Sequence, residues 1–196
     1  MALHRENAVD GRLYLDDITD QYRCYKSLAD GAAAQLGDEE IFARPGGVAL
    51  SVAVIMKHTA RNLRSRWLDF LTTDGEKKDR DRESEFSDAW ETRETIMAHW
   101  KEGWTIAFGE LGRLEPSDLD RIVTIRGQPY RAWEAIHRNV LHVSYHTGQI
   151  VQLARAIRGP DEWKSLSVPP GGTGAHNAKM REKYGDWWAP DFKPKA

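Results

Sequence analysis

His142 and His146 stand four residues apart in a run, residues 137–158, whose apolar positions recur at steps of three and four. On one helix that spacing separates two side chains by about 40° around the axis, so both imidazoles can face one point. A transition ion needs such a pair from one element, and a third ligand from elsewhere would leave coordination positions open. His58 is the best candidate for the third, because it falls on the inner side of a second long amphipathic run. An open three-imidazole site is the pattern of catalytic rather than purely structural centres. Asn62, four residues after His58, and Gln149, three after His146, share those faces. Either could orient a ligand or a bound water from outside the coordination sphere.

A second reading stands beside this one. Histidine pairs also occupy polar corners of helix bundles, where nearby amides make ordinary interhelical contacts. Val143 follows His142, so the glutamate of the His-Glu-x-x-His zinc-protease pattern is missing. His137 lies roughly 140° away from His142 around the helix and faces elsewhere. His99 flanks an aromatic stripe and has a weaker claim as a ligand. The sequence contains no Gly-x-Gly-x-x-Gly, phosphate loop or Gly-x-Ser-x-Gly. Cys24 has no readable base near it and reads as core or surface filler. No residue is assigned a catalytic role.

The elements that must position these residues are helices. Residues 12–37 carry Leu15, Ile18, Tyr22, Tyr25, Leu28, Ala29, Ala32 and Leu36 on one stripe, with Gly37 as a stop. Ser51 suits an N-cap for a second helix over 52–70, whose stripe is Val52, Ile55, Met56, Leu63, Trp67 and Phe70. Ser87 suits the cap of a third helix running to about Leu111, with Trp90, Met97, Trp100, Trp104, Phe108 and Leu111 inward. The fourth helix starts near Tyr130 and ends at Gly159-Pro160. Trp133, Ile136, Val140, Val143, Ile150, Leu153, Ala154 and Ile157 line its buried side.

Between the second and third helices, residues 71–86 have no apolar period. Asp74-Gly75 signals a turn, and Asp79-Arg80-Asp81-Arg82 reads either as a solvated linker or as a loop pinned by arginine forks on carboxylates. Ile122 to Ile125 is β-rich, and Arg126-Gly127 can turn it, which predicts a short hairpin. After Gly159 the chain is irregular, with one short helix over 175–184 and Trp187-Trp188 as an anchor. The expected fold is all-α: a four-helix bundle in one domain over 1–196, its core at about 12–158 and its tail at 159–196.

Composition narrows the function classes. The chain has 196 residues, 28 basic against 30 acidic, so no basic excess points to nucleic acid. Eight tryptophans can fill a core with few helices. One cysteine excludes an internal disulfide and suits a reducing cytoplasm. The first residues lack the apolar run of a signal peptide, and no stretch is apolar enough to span a membrane.

Several of these pieces together resemble the DinB/YfiT-like metalloenzyme superfamily, in a branch of uncharacterised bacterial proteins. They are Lys57-His58-x-x-x-Asn62, the loop Asp74-Gly75-Glu76, the run from Arg80 to Phe86, His142-x-x-x-His146 with Gly148-Gln149-Ile150, and the run from Trp163 to Ser167. The resemblance spans roughly residues 12–175. It implies a four-helix bundle, often dimeric, with a three-histidine metal site at His58, His142 and His146. It further implies zinc or nickel as the ion, and in some relatives a low-molecular-weight thiol as cosubstrate. One departure is Leu50 before the Ser51 cap, where the branch has asparagine. The resulting expectation is a divalent-metal-dependent enzyme, a thiol-dependent S-transferase acting on small electrophiles. The alternative is a non-catalytic metal-binding or stress-response module. The Asp74-Gly75-Glu76 loop has no assigned role.

Overall fold

The apolar stripes set the helices of the computed structural model, which describes residues 10–47, 50–89, 91–189, 191 and 193. The described residues are mainly helical, with one small two-stranded sheet among them. α1 is Gly11–Ala33, α2 Val52–Trp67, α3 Arg93–Leu111, α4 Ala132–Glu162 and α5 Thr173–Tyr184; β1 is Ile122–Ile125 and β2 Gln128–Arg131. The chain divides into two compact units, one ending at Glu162 and the other beginning at Trp163.

In the first unit α2 packs against α3 and α4, and α1 packs against α4. Ser51 caps α2 as its type predicts, its Oγ accepting from the Val54 N–H at 3.3 Å. Nearly all of α2 is buried, polar residues included, so it is the central element. Trp67, Trp100, Trp104 and Tyr22 fill the core, with edge-on rings between Tyr22 and both Trp67 and Trp104. α3 crosses α2 closely at Gly103: a Cβ there would lie 2.5 Å from the Ala60 carbonyl oxygen.

Five expectations for the first unit need correction. α1 stops at Ala33, so Leu36 is buried beyond its end. α2 ends at Trp67, and Phe70 packs from the following turn. α3 starts at Arg93, not after Ser87, because Thr92 and Thr95 form a reciprocal capping box. α4 starts at Ala132: Tyr130 is drawn into β2, opposite Val123. Trp133 is 41% exposed rather than inward. Trp90 lies outside the described residues. The predicted hairpin forms, antiparallel from Ile122↔Arg131 to Ile125↔Gln128. Arg126 and Gly127 turn it with φ +56° and +74°, a pair of left-handed residues matching the twist of a two-residue hairpin.

α4 breaks where Gly159 takes φ +74°, ψ 170° ahead of Pro160. In the second unit α5 begins two residues earlier than its pattern suggests. The Arg181 guanidinium lies over both Trp187 and Trp188, and Trp188 is exposed rather than an anchor. Among the described residues no helix is long and apolar enough to cross a membrane.

Candidate metal centre

α2 and α4 bring three imidazoles together. The Nε2 atoms of His58 and His142 are 3.3 Å apart, and those of His146 and His142 are 3.2 Å apart. One candidate ligand atom from each of the three lies within 4.8 Å of the others. His58 and His146 are buried and His142 is half-buried.

The outward nitrogens decide what the inward ones present. His58 Nδ1 meets the Glu85 carboxylate at 2.8 Å and so carries the proton there. His146 Nδ1 meets the Gln149 amide oxygen at 2.7 Å and donates in the same way. Both rings therefore turn Nε2 inward, toward His142. His142 Nδ1 is buried without a hydrogen-bond partner among the described residues. Burial, with the neighbouring His146 and His58 rings, pushes the His142 imidazolium down to about 3. Burial likewise lowers His146, against the Gln149 hydrogen bond that raises it. His142 and His146 are thus pushed toward the neutral imidazole, the form that ligates metal. Two nitrogens at ~2.1 Å from one tetrahedral ion stand roughly 3.4 Å apart, close to the observed spacings. The donor set fits a divalent transition ion, and the three histidines could hold one.

His58 is fixed by a chain of buried charge. Glu85 is 1% exposed and receives Arg80 as a fork, Nε at 2.6 Å and a terminal nitrogen at 2.8 Å. Burial alone would raise the Glu85 carboxyl; the bonds from His58 and Arg80 outweigh it and hold the carboxyl below its ordinary value. Phe86 stacks on the His58 ring with centroids 4.9 Å apart. Arg80 also reaches Glu76 at 3.3 Å, and Glu76 binds Arg66 at 3.0 Å. Asp74 accepts the N–H groups of Glu76, Arg126 and Gly127 at 2.7, 2.8 and 2.9 Å. The segment after α2 is therefore pinned through Asp74, Glu76, Arg80 and Glu85, while Asp79, Asp81 and Arg82 face solvent. Its Asp74-Gly75-Glu76 turn ties it to the hairpin, where the Gly75 N–H donates to Thr124 at 2.8 Å.

The sequence candidates divide. His58, His142, His146 and Gln149 come together, whereas Asn62 does not join them. Its Oδ1 accepts from Asn139, whose own Oδ1 accepts from Tyr22 and Trp67 at 2.8 and 3.0 Å, a buried polar knot in the core. His99 lies outside the cluster and His137 is exposed. Cys24 is exposed. Glu85 and Tyr145 went unrecognised. The carboxylate was hidden in a charge run, although Arg80 and Glu85 both fall within a run singled out for its resemblance. Tyr145 packs edge-on to His146 at 5.0 Å and its hydroxyl accepts from the Gln149 amide at 3.2 Å.

Site and architecture define a helical protein with a candidate three-histidine metal centre. The chain belongs to the family described as "Protein of unknown function (DUF1572)", whose model matches residues 10–172. No curated protein and no solved structure matches it.

Proposed function

We propose that this protein is a divalent-metal-dependent enzyme of the DinB/YfiT type, with α1 to α4 forming its four-helix bundle. His58, His142 and His146 hold the ion, zinc or nickel. The observation that carries this reading is the convergence of three Nε2 atoms, two with their protons fixed on the far nitrogen by Glu85 and Gln149. A bound divalent ion supplies Lewis acidity and lowers the pKa of a thiol or water beside it. With a low-molecular-weight thiol as cosubstrate, the reaction is S-transfer to a small electrophile. The chain's own part is to orient: Glu85 and Arg80 fix the His58 ring, and Gln149 fixes His146. The protein acts as a homodimer in the cytoplasm, without nucleic acid or membrane partners.

The test is anaerobic consumption of a small thiol with a panel of neutral electrophiles, comparing zinc- or nickel-loaded protein with apoprotein and with His142→Ala. Metal-dependent conjugation, lost in His142→Ala, is expected. Equal rates for loaded protein, apoprotein and variant would remove the enzymatic reading and leave a metal-binding module.

A further inference from the structure

A cleft of about 500 Å³ opens beside the histidine centre, between the start of α2 and the middle of α4. Its walls are Leu50, Ile55, Gly148 and Leu153, and its polar edge is Tyr145, Gln149 and Gln152. That volume is in the range of small-molecule sites. Gln149 links it to the centre, since the amide that accepts from His146 also donates to Tyr145.

Gly148 is the informative residue. A glycine inside a helix is less favourable than alanine, and a close backbone approach is the usual reason to keep one. Gly103 has that reason, with the Ala60 carbonyl against it. Gly148 does not: a Cβ there meets nothing within 4 Å, and the space it leaves is the cleft. The lining holds no charged side chain among the described residues, in a chain otherwise rich in charge. Tyr145 is 63% exposed, and its hydroxyl, while accepting from Gln149, meets no acceptor among the described residues. A large exposed aromatic at the rim, with one free donor, is suited to a flat apolar body carrying an acceptor.

We propose that this cleft is the substrate subsite of the centre and takes a small, uncharged, mainly apolar molecule whose hydrogen-bond acceptor is received by the Tyr145 hydroxyl. This rests on the reading of the histidines as an active metal site. The probe is 6-propionyl-2-dimethylaminonaphthalene, neutral with one carbonyl acceptor, whose emission reports both apolar surroundings and hydrogen bonding. Its anionic counterpart is 8-anilino-1-naphthalenesulfonate, and zinc binding is titrated in parallel. The neutral probe should bind at least about tenfold more tightly than the anionic one, as a buried uncompensated charge requires. Gly148→Leu should abolish its binding while leaving zinc affinity and helical circular dichroism unchanged. Tyr145→Phe should weaken it roughly three- to tenfold and shift its emission to the blue, the loss of one hydrogen bond to the carbonyl. Equal binding of the two probes, or neutral-probe binding untouched by Gly148→Leu, would overturn the proposal even if zinc binds. Displacement of the probe on raising protein concentration, with a fall in sedimentation mass for Gly148→Leu, would assign the face to a second copy of the chain and also overturn it. Loss of zinc binding in the wild type with cleft binding intact would instead strike the metal reading.

Discussion

His58 and His146 are held from opposite sides in different ways. Behind His58 stand a buried carboxylate and a buried guanidinium fork, anchored through Glu76 and Asp74 to the hairpin. Behind His146 stand a neutral amide and an exposed phenol at the edge of an open cleft. A charged, dry network is costly to leave half-made, so it fixes geometry. A neutral one tolerates change and leaves room for a ligand. One wall is built to hold the centre and the other to admit what reaches it.

The largest effect should come from breaking the charged wall. Glu85→Ala leaves the buried Arg80 with Glu76 alone and frees the outer nitrogen of His58. We expect about 3 kcal/mol of lost stability in urea unfolding. Zinc affinity should fall about 10- to 100-fold by competitive titration. Glu85→Gln, which keeps an acceptor, should fall between wild type and alanine.

Acid should act on the same wall. Burial opposes ionisation of Asp74, but the N–H groups of Gly127, Glu76 and Arg126 hold its carboxyl well below the usual range; Glu76 is lowered by Arg80, Arg66 and Arg126 against burial. Folded values below unfolded ones mean that this stabilisation is complete above pH about 4.5. It is lost as pH falls from there through the depressed values. Hydrogen exchange should show the Gly75, Arg126 and Gly127 amides losing protection below that pH. Protection that persists unchanged into stronger acid would show that the turn is held by something else.

On the open wall the effects shrink. Gln149→Ala should weaken zinc by about tenfold at most and leave stability within about 1 kcal/mol, since only a neutral bond is lost. The smallest effect separates two glycines. Gly148→Ala should stabilise the protein by about 0.5–1 kcal/mol through helix propensity. Gly103→Ala should instead destabilise by about 1–3 kcal/mol, because the added methyl meets backbone. If both glycines behaved alike, the contrast between a packing glycine and a cleft glycine would fail.

What could be read in advance followed periodicity. His142, His146, His58 and Gln149 come together because helical spacing decides which side chains share a face, and α2 and α4 are long enough to express it. The start of α3 was misplaced because Ser87 and Thr92 are both competent caps, and only the Thr92–Thr95 reciprocity separates them. Tyr130 was lost to a tertiary effect, strand pairing opposite Val123. Glu85 was illegible for a deeper reason: in a charge run, an arginine that forks onto a buried carboxylate and one that faces water are the same letter. Trp133 fits an apolar stripe at either edge, and the stripe does not say which edge is covered.

Calorimetric zinc titration of chelator-stripped protein tests the central claim most directly. The account predicts about one ion per chain for the wild type and less than about a tenth for His142→Ala, with the helical circular dichroism of the variant retained. Wild-type protein that takes up neither zinc nor nickel, or a variant that binds as tightly as the wild type, would contradict it.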